Sequence, residues 1–350
     1  MFRPTQIAIP TLVRVKEGAL DRVGLYLARS GYAGIAVLVS EGLVATLQDR
    51  VKRSLTEHRI EPAAWIEVSG NDLESAARLF IELPRNASAV VGVGGGKALD
   101  TAKYVAFLAR LPYYAVPTSL SNDGFCSPQA SLTVRGQRRS LPAALPRGVV
   151  IDTGVCQNAP RILTLSGVGD LVAKFTAAQD WKLAFHATGE AVDDFAALLS
   201  DGSIHSFRSH PAFDLEGIRL LATGLLLNGI AMEIAGSSRP ASGSEHLISH
   251  ALDTISARPR LHGLQVGVAS YLVSLLQRAK SDAIAGLFDV TGFWDAIAAD
   301  PFRRSEWREA IRLAPTMKDG FFTVLSIPER VPEAERYLTD DPRLARCFGE

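Results

Sequence analysis

The sequence predicts an α/β fold in two parts, an N-terminal domain built on a parallel sheet and a C-terminal domain built of helices alone. Three observations carry this expectation. Through the first 150 residues short β-rich runs alternate with amphipathic stretches, the pattern of helices packed on parallel strands. One of those runs ends in Gly94-Gly95-Gly96 and passes straight into a helical stretch. From about Asn158 strand signals nearly vanish and apolar residues recur at helical spacing. A chain of 350 residues also exceeds one ordinary core, so residues 1–157 are expected to form the first domain and 158–350 the second.

Taken in order, Gly34 to Val39 reads as a buried strand, Leu43 to Glu57 as a helix, Ala63 to Val68 as a strand and Leu73 to Leu83 as a helix. Ala89 to Val93 is the third strand, Lys97 to Arg110 the helix after the glycines, with Ala98, Ala102, Val105 and Ala109 to pack, and Tyr113 to Val116 a short strand ended by Pro117. In the second part, helices are expected over Gly169 to Ala187, Ala191 to Leu199, Leu215 to Ile234, Glu245 to Ile255 and Gln265 to Arg278.

Hydrophobic residues make up 47% and charged residues 21%, a globular balance. Lys plus Arg equals Asp plus Glu at 37 each, which removes the global field that nucleic acid or an anionic membrane would require. Cys126, Cys156 and Cys347 are too few and too scattered for a disulfide scaffold or a thiolate metal cluster. Met1 to Pro10 lacks the apolar run of a signal peptide, and no stretch reaches about 18 uncharged apolar residues, so a cytoplasmic protein without membrane insertion is expected.

A strand ending in glycines and opening a helix presents free N–H groups at the positive end of the helix dipole, which suits a diphosphate. Gly92, Gly94 and Lys97 depart from the usual dinucleotide fingerprint, and Val91 and Ala98 from the P-loop, so a plain tight turn is the competing reading. Pro117 to Gly124 (PTSLSNDG) follows the next strand, where an open α/β sheet places its ligands; turn chemistry alone also explains such a composition. Three of the seven histidines, His246, His250 and His262, fall in one short window. His246 and His250 share a helix face at a spacing of four, and His262 follows beyond Pro259, so the spacing admits one ion without deciding which rings hold it. Asp170, in SGVGD, is a candidate third ligand or simply a carboxylate at the start of a helix.

These residues together resemble the sn-glycerol-1-phosphate dehydrogenases, in the superfamily of iron-containing alcohol dehydrogenases, glycerol dehydrogenase and dehydroquinate synthase. The matching strings are GVGGGKALDTAK (from Gly92), PTSLSNDGFCSPQASL (from Pro117), SGVGDLVAKFTAAQDWKLA (from Ser166), GSEHLISHALD (from Gly243), LHG (from Leu261) and APTMKDGFFTVL (from Ala314). The resemblance implies a dehydroquinate synthase-like fold, a Rossmann-like dinucleotide-binding domain followed by an all-helical metal-binding domain, with a cleft between them. It implies NAD or NADP on Gly94, Gly95, Gly96, Lys97 and Asp100, its nicotinamide half near Thr118, Ser121 and Ser127, and the substrate on Asp123. By the same resemblance Asp170, His246 and His262 hold one divalent ion, zinc first with nickel or iron as alternatives, and His250 faces the substrate. Asp123, Asp170 and His250 are then the catalytic set.

One carboxylate and two imidazoles leave open coordination positions, as a catalytic site requires. Hydride would pass between nicotinamide and a metal-bound phosphorylated ketone or alcohol, dihydroxyacetone phosphate becoming sn-glycerol 1-phosphate, with the proton relayed by Asp123 or His250. Other chemistry on the same scaffold is a glycerol or alcohol dehydrogenase, or a sugar-phosphate cyclase that reduces NAD only transiently; a cofactor-binding protein without catalysis is a third reading. A homodimer or larger homo-oligomer is expected. Arg135, Arg138 and Arg139 look like a solvated hairpin turn or a phosphate contact, Lys174 like a surface lysine or another such contact, and Glu41 is placed to meet the adenosine ribose. Three departures stand out against the family pattern: Asn122 for His, Phe125-Cys126 for smaller residues, and Leu264 for a Glu whose loss is expected to weaken metal binding.

Overall fold

The structure, a computed structural model, describes residues 7–32 and 34–349; the reading of Met1 to Pro10 lies outside them for residues 1–6. The chain divides into two compact units, Met1–Ala159 and Pro160–Glu350.

In the first unit six strands form one parallel sheet: β1 (Leu12–Lys16), β2 (Ile35–Ser40), β3 (Pro62–Val68), β4 (Ala89–Gly94), β5 (Tyr113–Pro117) and, after a hairpin of β6 (Gln129–Val134) and β7 (Gln137–Pro142), β8 (Gly148–Asp152). Their order is β1-β8-β5-β4-β2-β3. Helices α1 (Val23–Arg29), α2 (Ala45–Glu57), α3 (Leu73–Glu82) and α4 (Gly96–Ala109) connect them, and α5 (Thr153–Gln157) follows β8. β4, β5 and β8 are buried along their whole length and β2 to its last residue, because helix-covered parallel strands have no solvent face; this is why they read as uninterrupted apolar runs. The sheet order reverses between β2 and β4, the place where open sheets of this kind bind ligands beyond the strand ends. α4 packs close to the sheet through Ala98, Ala102, Val105 and Ala106, and a Cβ on Gly92 would stand 2.9 Å from that of Ala102. Ala109 lies at the margin of this contact.

Two strands of this six-stranded sheet escaped the sequence reading. β1 is an edge strand whose Arg14 and Lys16 interrupt the apolar pattern, and β8 follows a proline-rich stretch with no helix signal between.

The second unit contains α6 (Arg161–Val172), α7 (Lys174–Thr188), α8 (Asp194–Ser209), α9 (Leu215–Ala235), α10 (Ser244–Ile255), α11 (His262–Gln277), α12 (Ser281–Thr291), α13 (Phe293–Ala299), α14 (Arg304–Leu313), α15 (Arg330–Asp340) and α16 (Pro342–Ala345). A parallel pair of two-residue strands, β9 (Phe302–Arg303) and β10 (Phe348–Gly349), is the exception to its helical make-up. The single helix expected over Gly169 to Ala187 is two helices that divide at Ala173. Both flanks of that division are buried, so the apolar run crosses it without a mark. α9 is long and apolar enough to cross a membrane, but more than half of its most apolar window is buried inside the unit, as in the core helix of a globular domain.

Candidate active site

Glycine at position 94 is dictated by geometry. Its φ is +138°, and a Cβ there would lie 2.1 Å from Ser40 Oγ at the end of β2. Ser40 Oγ in turn accepts from the Gly95 N–H at 3.0 Å, tying the two strand ends together. Beyond this tie the turn opens: a Cβ on Gly95 would meet nothing within 4 Å, and one on Gly96 only Asn122 Nδ2 at 4.0 Å. The start of α4 therefore has room for an anionic group against its backbone, with Lys97 exposed beside it. Glu41 is exposed immediately past β2.

The PTSLSNDG loop lies alongside. The Thr118 N–H donates to Gly94 O at 3.0 Å, Ser121 is half-buried, and Asn122 Oδ1 caps the Gly124 N–H at 2.9 Å, opening the turn Asp123–Cys126. Ser127 is buried, its Oγ accepting from the Gln129 N–H at 3.1 Å. Asp100 faces inward. Its carboxylate meets the ammonium of Lys103 at 3.1 Å, and burial raises its pKa while Lys103 pulls it back. This carboxylate is turned to a lysine inside the unit. Arg135 (φ +50°) and Gly136 (φ +78°) form the tight turn between β6 and β7, and Arg138 and Arg139 are exposed on β7, which is the hairpin reading.

In the second unit glycines bring two helices into backbone contact. A Cβ on Gly169 of α6 would lie 2.0 Å from Gly263 O, and one on Gly263 of α11 would lie 1.8 Å from Ser166 O. The SGVG string is thus a helix-crossing device, and Asp170 sits in the last turn of α6, which corrects its placement at a helix start. The crossing delivers Asp170 to His262, the first residue of α11. His246 Nε2 stands 3.5 Å and His262 Nε2 3.8 Å from Asp170 Oδ1, and ligand atoms of the three residues all lie within 4.8 Å of one another. His250 is near but outside this group, its ring 6.1 Å from that of His262 and 6.4 Å from that of His246.

The imidazoles are oriented from behind. Glu245 Oε1 stands 3.0 Å from His246 Nδ1. A carboxylate accepts, so Nδ1 carries a hydrogen and Nε2 is the ring atom directed at Asp170, the one that would bind an ion on losing its proton. His262 Nδ1 stands 3.1 Å from Ser249 Oγ, which accepts from Gln265 Nε2 at 2.9 Å. Burial alone would lower His246, but Asp170 and Glu245 outweigh it and hold its pKa up to about 9. Burial would likewise raise Asp170, but Lys174, His246 and His262 hold it well below the usual carboxylate range. Lys174 is buried, donating to Ala241 O at 2.9 Å, so it is neither a surface lysine nor exposed for a phosphate. Leu264 is core, and the support expected from a Glu there comes instead from Ser249 and Gln265.

The donor set fits a divalent ion. Three ligand atoms each about 2.1 Å from one tetrahedral ion lie roughly 3.4 Å apart, close to the spacing present. A carboxylate with two imidazoles suits zinc and its borderline neighbours, and the hydrogen bonds behind the rings are those a metal-binding histidine needs. Sequence reasoning missed Glu245, Ser249, Gln265 and Lys103. Glu245 was legible as an acid adjoining a histidine; the others are visible only once helices are placed.

Comparisons with known proteins bear on the fold and the family. The family model described as iron-containing alcohol dehydrogenase matches residues 14–160. Among solved structures, a probable glycerol dehydrogenase from Sinorhizobium meliloti superimposes with a TM-score of 0.75 at 18% identity, covering 97% of each chain. A sulfoacetaldehyde reductase from Bifidobacterium kashiwanohense, solved in complex with NAD+, gives 0.73 at 17% identity over 97% of this chain and 100% of its own. The fold is that of the iron-containing alcohol dehydrogenase class. Glycerol-1-phosphate dehydrogenase [NAD(P)+] of Aeropyrum pernix is 33% identical over 95% of this chain and 96% of its own length, and that of Cenarchaeum symbiosum 36% identical over 91% and 90%. The chain belongs to the glycerol-1-phosphate dehydrogenase family.

Proposed function

We propose that the protein is an NAD(P)-dependent, metal-containing dehydrogenase that interconverts dihydroxyacetone phosphate and sn-glycerol 1-phosphate. The observation that carries the reading is the Asp170, His246 and His262 group with its oriented imidazoles, in a chain whose relatives bear that enzyme's name. When bound, the ion supplies a Lewis acid for the carbonyl oxygen and the nicotinamide supplies or accepts the hydride. The start of α4, opened by the missing side chains of Gly95 and Gly96, holds the diphosphate against its backbone, with Lys97 as its counter-charge, and Glu41 meets the adenosine ribose. Thr118, Ser121 and Ser127 orient the nicotinamide half. Asp123 in the first unit and His250 in the second are each assigned to the substrate by the family resemblance, and one of them carries the alcohol proton to and from solvent. Zinc is the resident metal by the donor set, and the three free, buried cysteines suit a reducing cytoplasm.

The test mixes protein and NADH or NADPH with dihydroxyacetone phosphate, with and without zinc, nickel or iron, and follows the nicotinamide absorbance. Stoichiometric oxidation with chiral analysis giving sn-glycerol 1-phosphate is the expected result. Turnover of unphosphorylated alcohols alone overturns the substrate, and substrate loss without net oxidation favours a cyclase.

A further inference from the structure

Lys103 lies two helical turns past the glycines of α4, and its side chain is wholly buried. Its ammonium has three acceptors: Asp100 Oδ1 at 3.1 Å, Gly124 O at 2.5 Å and Gln129 O at 2.6 Å. Three donors meet three acceptors, which is the full capacity of a lysine. The two carbonyls bracket residues 124–129, the stretch that follows Asp123 and contains Ser127. Gly124 passes close over this point, since a Cβ there would stand 3.8 Å from Asp100 Oδ1 and 2.8 Å from Asn122 Oδ1. Burying a cation is costly, and a core that needed only packing is served better by an apolar side chain of the same volume. A retained ammonium that ties one loop at two points to the helix of the glycine turn has a geometric use.

We propose that Lys103, steadied by Asp100, is a positioning residue that fixes the 123–129 loop against α4, so that the site for the nicotinamide half is set relative to the diphosphate turn. The assignment rests on the cofactor reading above. Neither side chain touches the cofactor: Asp100 holds the ammonium, the ammonium holds the loop, and the loop presents Asp123 and Ser127. The adenosine diphosphate half, bound by β2, the glycine turn and the first residues of α4, does not depend on this clamp.

The test compares Lys103→Met and Asp100→Asn with the unaltered full-length protein, titrating each with NADH and with ADP and measuring melting temperature alongside. In K103M the NADH affinity is expected to fall at least about tenfold through misplaced loop groups, while ADP affinity stays within about twofold. D100N, which keeps the ammonium and both carbonyl bonds, is expected to move in the same direction by about threefold. A purely structural lysine would weaken both ligands together in step with the melting temperature, and that result, or an unchanged NADH affinity in both variants, overturns the proposal. If K103M does not fold, D100N alone decides by the same split. Failure of the unaltered protein to bind NADH or NADPH overturns the cofactor reading itself, and this proposal with it.

Discussion

The glycine turn offers its ligand backbone, whereas the Asp170 pocket offers side chains. At the turn the informative atoms are missing ones: no Cβ on Gly95 or Gly96, open space beside them, and one hydroxyl, Ser40 Oγ, holding the strand ends in register. In the metal pocket every participant is a functional group backed by another: Glu245 behind His246, Gln265 behind Ser249 behind His262, Lys174 beside Asp170. Glycine does opposite work in the two places. At the turn it clears room for a ligand; between α6 and α11 it clears room for another helix, and the site is what the crossing brings together. The two sites should therefore fail in different ways.

The largest effect expected is that of Asp170→Asn, which keeps the shape and removes the one ligand charge. Metal content per chain should fall to background and turnover drop by at least about a thousandfold, with the affinity for ADP unchanged. Metal analysis and equilibrium titration on the same preparation check it, and retained metal in D170N would remove Asp170 from the ligand set. The complementary variant is Gly94→Ala, where the new Cβ meets Ser40 Oγ and φ stays in a region L residues avoid. It should cost about 2 kcal/mol of stability in urea unfolding and weaken NADH at least about tenfold, while metal content is retained. Loss of metal in G94A with NADH affinity intact would reverse the comparison.

The same contrast explains what was legible in the sequence. β2, β4 and β5 could be read because helix-covered strands are apolar throughout, and β1 could not because LVRVK at a sheet edge breaks that pattern. The His246, His250 and His262 window was visible as residue types, but spacing could not choose ligands among them; family resemblance made the assignment, and the geometry groups the same two with Asp170. Asp170 was misplaced for a physical reason: glycines before an acid read as a helix start, when these glycines serve a backbone contact with residues nearly a hundred positions away. Leu264 looked like a defect because the sequence shows the absent Glu and not Gln265 reaching Ser249. Long-range compensation of this kind has no local signature.

The smallest predicted effect separates the buried carboxylates of the two regions. Asp100 has a cation, Lys103, whereas Asp180 is held by neutral donors: the Ser244 N–H at 2.7 Å, the Val324 N–H at 2.9 Å and Gln277 Nε2 at 2.9 Å. These contacts tie the DWKLA, GSEH and FFTVL strings to one carboxylate. Burial, and then the neighbouring Glu245, push Asp180 up to about 6. Because the folded pKa lies above the unfolded one, the stabilising contribution is complete below about pH 4 and is lost as pH rises through about 6. Lowering the pH from about 7 to about 5 should therefore raise the unfolding free energy by about 1 kcal/mol from this group alone. Asp100 and Glu233, both raised by burial, add in the same direction, so the decisive measurement is a difference. Asp180→Asn should be less stable at every pH and show a shallower dependence of its urea midpoint between those limits. An unchanged slope in D180N would mean that Asp180 keeps an ordinary carboxylate pKa, and that the hub of the helical unit carries its charge without penalty.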